Sequence, residues 1–499
     1  MKGNCTLNGA TLRGVDAQLV RVEVSIGPGM PGFAIVGMPD TAVQEARERV
    51  RSAVKASGYQ MPGDKIVVSL APGSLKKTGS GFDLPIALGI LAASKQVPVD
   101  ALKNKLVVGE LSLDGRIRDV PGMLSFEVCA RECGFDMICS SECTSVMEIP
   151  GLSLYGVERL SDFRTGLFDV PRGVQRVPRI AKDYSEVGGH EIAKRAFQIA
   201  AAGEHGLMMM GPPGSGKTML AERLPSILSA LDEQERLETA RVYSAAGEDI
   251  APTVAGIRPF RHPHHSVSTA GLLGGGSPVR PGEVSLAHNG VLFLDEISQF
   301  PRATLQGLRQ PMEDGKITIV RAEGAFTMPA DFMLIAASNP CPCGYLGDPE
   351  IACRCSQADI LTYQGRIGGP LLDRIDLQID VWRTSFDNVV HAGSDISSAE
   401  LHEGVLRARE FRDWRLSRLS VKEPVSSSIE AADLIERNAV AHDAERFLRE
   451  SAKVHSLSGR SIVRTVGVAR TIADMAESQE VLEDHMAEAF GFRLREATQ

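Results

Sequence analysis

The chain has few aromatic residues and no long hydrophobic run. Aromatic side chains make up 5% of its 499 residues, while hydrophobic residues as a whole make up 43%. One of the longest apolar stretches, residues 84–93, falls well below the ~20 residues of a membrane-spanning helix, so no membrane association is expected. No apolar segment follows Lys2 either, so a secretory signal is not expected.

An excess of positive charge is also missing. The 54 Lys and Arg residues are outnumbered by 63 Asp and Glu residues, which gives a net charge of −9. A strongly basic surface is therefore excluded, and any contact with nucleic acid must come from local patches. The nine cysteines are an odd number, which argues against a fully paired disulfide framework and predicts a reducing, cytoplasmic location.

The length predicts about three domains. Along the chain, the first of three blocks contains strand-like and helix-like patterns separated by glycines. The second block alternates strands and helices and contains the densest motifs. The third block is poor in Pro and Gly, which predicts a helical bundle. The predicted fold class is α/β, with an α+β domain at residues 1–168, a polar, Pro-bearing linker at 169–185, a motif-rich α/β core at 186–385 and a helical domain at 396–499.

The strongest motif is GPPGSGKT at residues 211–218, between an apolar run and a helical pattern. This strand–loop–helix context is that of a phosphate-binding P-loop, in which glycines let backbone N–H groups wrap a phosphate. Lys217 would reach the β- and γ-phosphates of ATP, and Thr218 would bind Mg²⁺. The alternative is a Gly-rich turn without a ligand. The predicted nucleotide-binding residues of the loop are Gly211, Gly214, Ser215, Gly216, Lys217 and Thr218.

Two further apolar runs end in polar residues at the expected place. VLFLDE at 291–296 predicts a buried parallel strand followed by a metal-holding Asp295 and a water-polarising Glu296, which indicates a hydrolase. LIAASNP at 334–340 predicts a strand that ends at Asn339, which would orient water or sense the γ-phosphate. Taken alone, Asn339 is also consistent with an ordinary turn residue before a proline.

Four cysteines cluster within 15 residues. Cys341, Cys343, Cys353 and Cys355 form two C-x-C pairs, a donor set that suits tetrahedral, structural Zn²⁺ because four thiolates leave no open position. The alternative is a loop, residues 341–355, that carries reduced and unliganded thiols.

Two basic segments are candidates for contact with DNA. The first runs from Arg258 into a Gly-rich loop, and its alternatives are a structural turn, an inter-subunit contact or a histidine metal site. The second is a predicted β-hairpin that begins at Lys316, for which a solvated hairpin face is an equal alternative. The candidate DNA contacts are Arg258, Arg261, His264, His265, Arg280, Lys316 and Arg321.

These motifs in this order resemble the AAA+ ATPases, and most closely the competence protein ComM (YifB) family of the magnesium-chelatase-like group. The most specific stretches are FAIVGMPD at 33–40, GSGFDLPIA at 79–87, PHH at 263–265, CPCG at 341–344 and GPLLDRID at 369–376. The resemblance implies an ATP-driven, hexameric DNA helicase that promotes branch migration or strand exchange during natural transformation. Its implied partners are single-stranded and branched DNA and further copies of the chain.

The resemblance also implies roles for single residues. Asn339 is similar to the sensor-1 residue and Arg374 to the arginine finger that enters the neighbouring subunit's ATP site. Arg460, in SGRS at 458–461, resembles sensor 2, with Arg464 one turn further along as the alternative. Residues 187–189 would form part of the adenine pocket, and the hairpin from Lys316 would be a pore loop.

The first block resembles the Lon-protease-like domain of ChlI-type proteins, with VGELSLDGR at 108–116 as its best match. A peptidase of this type needs a serine activated by a lysine. Ser80 lies near the expected serine position, but the segment 123–126 carries Ser125 and no lysine where that lysine is expected. We therefore expect a non-proteolytic assembly or DNA-binding module. Two alternatives to the DNA motor stay open: the motor subunit of a magnesium chelatase, and an ATP-dependent remodelling chaperone.

Overall fold

The computed structural model describes residues 3–143, 147–164, 182–322, 324–384, 395–418 and 434–493. Most of the predicted linker at 169–185 lies outside the described residues. Within the described parts, no helix is long and apolar enough to cross a membrane.

The first part of the chain mixes strands and helices. Its elements are β1 (Gly3–Arg13), β2 (Asp16–Gly27), β3 (Gly32–Val36), α1 (Thr41–Ala56), β4 (Lys65–Ala71), α2 (Asp83–Ala93), β5 (Lys105–Val107), β6 (Glu110–Leu111), β7 (Ile117–Arg118), α3 (Met123–Glu132), β8 (Asp136–Ser140) and β9 (Leu154–Val157).

Seven of these strands form one mixed sheet in the order β3-β4-β2-β1-β5-β8-β9. Helix α1 begins where the Asp40 carboxylate accepts the backbone N–H of Val43 at 2.8 Å. Its apolar stripe, which includes Val43 and Val50, is buried in a core shared with α2 and the sheet. Helix α2 is buried along its whole length, so it shows no polar face.

The central part alternates strands and helices. Its elements are α4 (Glu191–Gly203), β10 (Leu207–Met210), α5 (Lys217–Ala221), α6 (Glu233–Ala246), α7 (Ala251–Val254), β11 (Phe260–Arg261), α8 (Thr269–Leu273), α9 (Glu283–Leu286), β12 (Gly290–Leu294), α10 (Arg302–Gly307), α11 (Arg309–Asp314), β13 (Lys316–Arg321), β14 (Gly324–Pro329), β15 (Phe332–Ser338), α12 (Gln357–Gln364), α13 (Gly369–Leu372) and β16 (Leu377–Asp380).

Five strands of this part form a parallel sheet in the order β11-β12-β15-β10-β16. Strands β10 and β12 are buried throughout, as expected for strands covered on both faces. The register pairs Met210 with Ser338 and Leu294 with Ala336, so β10, β12 and β15 end at the same edge. The predicted hairpin is confirmed as the antiparallel pair β13–β14.

All described elements beyond residue 395 are helices, as the sequence predicts. They are α14 (Ser398–Arg418), α15 (Leu434–Arg437), α16 (His442–Val454), α17 (Gly459–Met475) and α18 (Glu483–Gly491). Helix α14 packs against both α4 and α17, so the helical part shares one apolar core with the parallel sheet.

The first and central parts are in direct contact. The backbone N–H groups of Gly122 and Leu124 donate to the carbonyl and the hydroxyl of Ser244 on α6, at 2.7 and 3.2 Å. The turn between β1 and β2 reaches the β13–β14 hairpin, where the Arg13 guanidinium lies 5.2 Å from the centre of the Phe326 ring. The hairpin is thus held by the first part of the chain as well as by its own sheet.

Candidate nucleotide-binding site

The predicted phosphate loop connects the end of β10 to the start of α5. Gly214 and Gly216 have φ angles of +76° and +87°, in the left-handed region that glycine adopts without strain. The Lys217 ammonium lies inside the loop, where it donates to the carbonyls of Gly211 and Pro212 at 2.8 Å each. The loop therefore has the shape and the cation that a phosphate-binding site requires.

Burial lowers the pKa of Lys217 to about 8, although the nearby carboxylates of Asp295 and Glu296 act in the opposite direction. A buried ammonium is costly unless a negative charge compensates it. A phosphate group in the loop would supply that charge and restore the ordinary pKa.

The Thr218 hydroxyl donates to Asp295 Oδ2 at 2.6 Å. The second oxygen of the same carboxylate accepts the backbone N–H of Glu296 at 2.8 Å. A hydroxyl beside a carboxylate at the edge of a phosphate loop is the oxygen pair that holds Mg²⁺ in P-loop proteins. The residues present therefore fit the predicted magnesium ion.

Glu296 is exposed and its backbone has a left-handed φ of +49°. This conformation costs a residue other than glycine roughly 1–2 kcal/mol. Non-glycine residues held in such strained conformations cluster at functional sites. The strain therefore supports the prediction that Glu296 acts on bound substrate.

Asn339 follows the last residue of β15, and its Oδ1 lies 3.4 Å from Lys217 Nζ. The ends of three adjacent strands thus bring the predicted lysine, magnesium-binding pair and sensor together.

Gly216 also has a neighbour that the sequence did not reveal. His190 Nε2 would lie 3.4 Å from a Cβ added at this glycine, so the imidazole is next to the phosphate loop. Burial, followed by the charge of Lys194, lowers the pKa of His190.

In the part of the chain that the structure describes, the arginines predicted as the finger and as sensor 2 do not contact the phosphate loop but form ion pairs with acidic side chains. Arg374 is 9% exposed and donates to Glu313 Oε1 at 2.6 Å, and Arg460 donates to the same oxygen at 2.7 Å. Arg464, the alternative sensor 2, is paired instead with Asp376. Burial would raise the pKa of Asp376, but hydrogen bonds and charges from His205 and Arg464 outweigh it and lower the pKa to about 2.

The four cysteines predicted to bind zinc do come together. The Cys341–Cys343, Cys341–Cys353 and Cys343–Cys353 Sγ distances are 3.4, 3.7 and 3.6 Å, and all four sulfurs lie within 4.8 Å of one another. Backbone N–H groups donate to Cys355 Sγ and Cys353 Sγ at 3.4 Å each, as they do around metal-bound thiolates. Four sulfurs bound at about 2.3 Å in a tetrahedron would lie about 3.8 Å apart, so the donor set fits Zn²⁺.

This cysteine cluster touches the phosphate loop. Gly344, the residue after Cys343, has a φ of +87°, and a Cβ added there would lie 2.6 Å from Pro213 Cδ. Asn339 precedes Cys341 by two positions in the chain. The chain around the cysteine cluster therefore packs against the phosphate loop at Pro213 and follows directly from the end of β15 at Asn339.

Two of the candidate DNA contacts prove to be structural. Arg258 is 9% exposed and donates to both carboxylate oxygens of Glu235 and to two backbone carbonyls. Arg261 forms ion pairs with Glu248 and Glu283 at 3.1 and 2.7 Å. Their guanidinium groups are neutralised inside the protein, so the prediction that they face DNA is not supported by their placement.

The histidine pair lies at the surface end of this segment. The rings of His264 and His265 are 4.0 Å apart between centroids, and His264 Nδ1 lies 2.8 Å from the Ser266 hydroxyl. Within the described ranges, the four cysteines are the only group of three or more candidate metal ligands. A histidine metal site therefore gains no support.

The remaining three basic candidates, Arg280, Lys316 and Arg321, are exposed. Arg280 closes the Gly-rich loop through a pair of backbone hydrogen bonds with Gly275. A Cβ on Gly275 would meet Arg321 Nη2 at 3.3 Å, so the Gly-rich loop and the β13–β14 hairpin adjoin. The Gly-rich loop thus lies beside the end of the hairpin that carries Arg321, whereas Lys316 lies at the opposite end of β13.

The first domain shows no serine–lysine pair at the positions considered. The Ser80 hydroxyl donates to the Glu110 carboxylate, and the Ser125 hydroxyl donates to the carbonyl of Val15 at 2.6 Å. Lys77 is buried, which lowers its pKa, and its ammonium donates to the carbonyl of Pro72.

The chain matches three family models in consecutive order. They are described as subunit ChlI of Mg-chelatase, over residues 22–142; magnesium chelatase, subunit ChlI, over 183–389; and magnesium chelatase, subunit ChlI C-terminal, over 395–493.

Individual proteins also align over nearly the whole chain. Competence protein ComM of Haemophilus influenzae is 40% identical over 497 residues, which covers 96% of this chain and 95% of that protein. Uncharacterized protein YifB of Salmonella typhimurium is 39% identical, with the same coverage of each chain. The magnesium-chelatase 67 kDa subunit of Chlorobaculum parvum is 25% identical over 162 residues, only 32% of this chain and 23% of that protein.

Proposed function

Because the chain belongs to the ComM/YifB family of magnesium-chelatase-like AAA+ proteins, we propose that it is an ATP hydrolase that drives branch migration or strand exchange of DNA. The observation that carries the hydrolase proposal is the meeting of Lys217, Thr218–Asp295 and Asn339 at one sheet edge. We expect the protein to act as a homohexamer in the cytoplasm, as the family resemblance implies.

Each residue of the site has a defined task in this proposal. The backbone of the phosphate loop and Lys217 bind the phosphates, while Thr218 and Asp295 hold Mg²⁺, which neutralises phosphate charge. Glu296 accepts a proton from the attacking water, and Asn339 orients that water. Arg374 of the adjacent subunit stabilises negative charge on the transferred phosphoryl group.

DNA is the proposed substrate of the motor for two reasons. One of the relatives that align over almost the full length is named a competence protein. Arg280 and Arg321 are also exposed on adjoining segments of an acidic protein, and Lys316 is exposed at the other end of β13. Exposed cations of this kind suit sequence-independent contact with phosphates. A magnesium-chelatase motor is the second candidate, and the short alignment with a chelatase subunit supports it less.

The deciding experiment measures ATP hydrolysis and unwinding on forked, three-way and four-way junction DNA. We expect the wild-type chain to hydrolyse ATP and to move branched DNA. Lys217→Ala should lose both activities, and Glu296→Gln should bind ATP and assemble while turnover falls about 100-fold or more. Full turnover in Glu296→Gln would contradict the site assignment, whereas ATP hydrolysis without action on any branched DNA would contradict the DNA motor.

We also propose that the four cysteines hold a structural Zn²⁺, because the sulfurs of Cys341, Cys343 and Cys353 are 3.4–3.7 Å apart and all four sulfurs lie within 4.8 Å of one another. Metal content of the purified protein should be one zinc per chain by elemental analysis. Cys355→Ser should lose that zinc, while Cys133→Ser, which alters an exposed thiol outside the cluster, should keep it. Equal zinc content in the two variants would refute the assignment.

A further inference from the structure

One carboxylate oxygen joins the two arginines that the family resemblance assigns to ATP hydrolysis. Glu313 lies near the end of α11, and its Oε1 accepts Nη2 of Arg374 at 2.6 Å and Nη2 of Arg460 at 2.7 Å. Arg374 follows α13, whereas Arg460 lies in the first turn of α17. Three separate elements therefore converge on a single acceptor.

The charges of this trio do not balance. Two guanidinium groups face one carboxylate, so the trio carries an excess of one positive charge. Arg374 is also held by the carbonyl of Pro370, yet its buried Nε has no hydrogen-bond partner among the described residues. Buried donors without a partner are costly, and a guanidinium matches the oxygens of a phosphate group well. The arrangement suits an incoming anion such as a phosphate group.

The shared carboxylate also fixes where the two arginines can act. The Lys217 ammonium contacts Gly211, Pro212 and Asn339, whereas Arg374 and Arg460 contact Glu313. Because one oxygen holds both guanidinium groups, they lie side by side, and a phosphate group that meets one of them can also meet the other.

We propose that Glu313 is a positioning residue for ATP hydrolysis. It holds the guanidinium groups of Arg374 and Arg460 together, so that both reach the terminal phosphate of ATP bound to the neighbouring subunit. This inference rests on the proposed ATPase function. It adds a residue whose effect on the reaction would pass through the two arginines.

Glu313→Gln tests this role with little change of shape. The amide still accepts a hydrogen bond, but it no longer offsets the repulsion between the two arginines. We expect kcat for ATP to fall about 10-fold to 100-fold, a part of the 10³–10⁵ that an arginine finger contributes. The Kd for ATP should stay unchanged, because ATP binds to the phosphate loop. Asp314→Asn, on the exposed neighbouring residue, is the matched control and should keep the wild-type kcat.

Mixed rings separate a role between subunits from a merely structural one. Co-expressed Glu313→Gln and Lys217→Ala chains, each with its own affinity tag, are purified through both tags, so that every ring contains both. A Glu313→Gln subunit has an intact phosphate loop, and a Lys217→Ala neighbour presents intact arginines to it. Although each variant alone is slow, the mixed rings should hydrolyse ATP several-fold faster than either.

The outcomes divide cleanly. A wild-type kcat in Glu313→Gln overturns the inference, and so does a low kcat that mixed rings fail to raise, because the defect then lies within one subunit. If Glu313→Gln has both a lower melting temperature and weaker ATP binding than the wild type, the inference is likewise overturned, because Glu313 then only stabilises the fold. If the wild-type chain itself hydrolyses no ATP, the proposed function fails instead.

Discussion

Replacement of Gly344 by alanine probes the contact between the cysteine cluster and the phosphate loop. Gly344 has a φ of +87°, and an added Cβ would lie 2.6 Å from Pro213 Cδ and 3.2 Å from Pro213 Cγ. Favourable carbon–carbon contacts begin near 3.5 Å, so one of the two segments must move by about 1 Å. The substitution therefore displaces the phosphate loop or the chain that follows Asn339.

Two effects set the expected size of the defect. The left-handed backbone costs alanine roughly 1–2 kcal/mol of folding free energy. A misplacement of about 1 Å at a catalytic site can cost about 100-fold in rate, so we expect kcat/KM for ATP to fall by about 10-fold to 100-fold.

The assay is steady-state ATP hydrolysis, with thermal unfolding measured in parallel. Gly347→Ala is the matched control: its φ is +80° in the same loop, but its Cβ would meet Trp382 at 3.1 Å. It should lose similar stability while kcat/KM stays near the wild-type value. Pro213→Ala removes both Cδ and Cγ, so it should restore most of the activity of Gly344→Ala. Wild-type kcat/KM in Gly344→Ala, or no restoration by Pro213→Ala, would refute the reasoning.

Three other predictions concern charge and metal. The pKa of Lys217 is lowered to about 8, so ATP affinity should be constant up to about pH 7.5 and then weaken by up to about tenfold per pH unit. The affinity falls because the free site loses the cation that the phosphates need. An ATP affinity that stays constant to about pH 9.5 in a fluorescence titration would contradict this. Arg321→Ala should weaken DNA binding and reduce the slope of log K against log salt by about 1 without a change of stability. Arg258→Ala removes the ion pair with Glu235 and two hydrogen bonds to backbone carbonyls, so it should cost about 3 kcal/mol of unfolding free energy. Removal of zinc by a chelator should lower kcat/KM for ATP as Gly344→Ala does, and re-addition of zinc should restore it. Full ATPase activity in the chelated protein would show that the cysteine cluster does not support the nucleotide-binding site.

The sequence determined the parts of the site whose geometry is local. The phosphate loop lies within eight consecutive residues, and its conformation follows from its glycines and from the strand and helix on either side. The cysteine cluster lies within 15 residues, so closing the short loop that brings the four thiols together costs little entropy. The strand ends at Asp295 and Asn339 were predictable because buried apolar runs that stop at a polar residue share one edge of a parallel sheet.

Charge pairing was not predictable from the sequence, because it depends on residues far apart in the chain. Arg258 and Arg261 resemble free basic residues in a flexible insert, and only the fold places Glu235, Glu248 and Glu283 beside them. Among the basic candidates, Arg280, Lys316 and Arg321 are the exposed arginine and lysine side chains.

Local motifs thus identify the chemistry of this chain, while tertiary structure decides which charges are available for it. Glu313 carries no motif of its own, and it lies 61 and 147 positions from Arg374 and Arg460. Such contacts arise from the packing of α11, α13 and α17 and from nothing local. The physical reason is that loop geometry depends on neighbouring residues along the chain, whereas the burial and pairing of a charge depend on whatever the fold brings next to it.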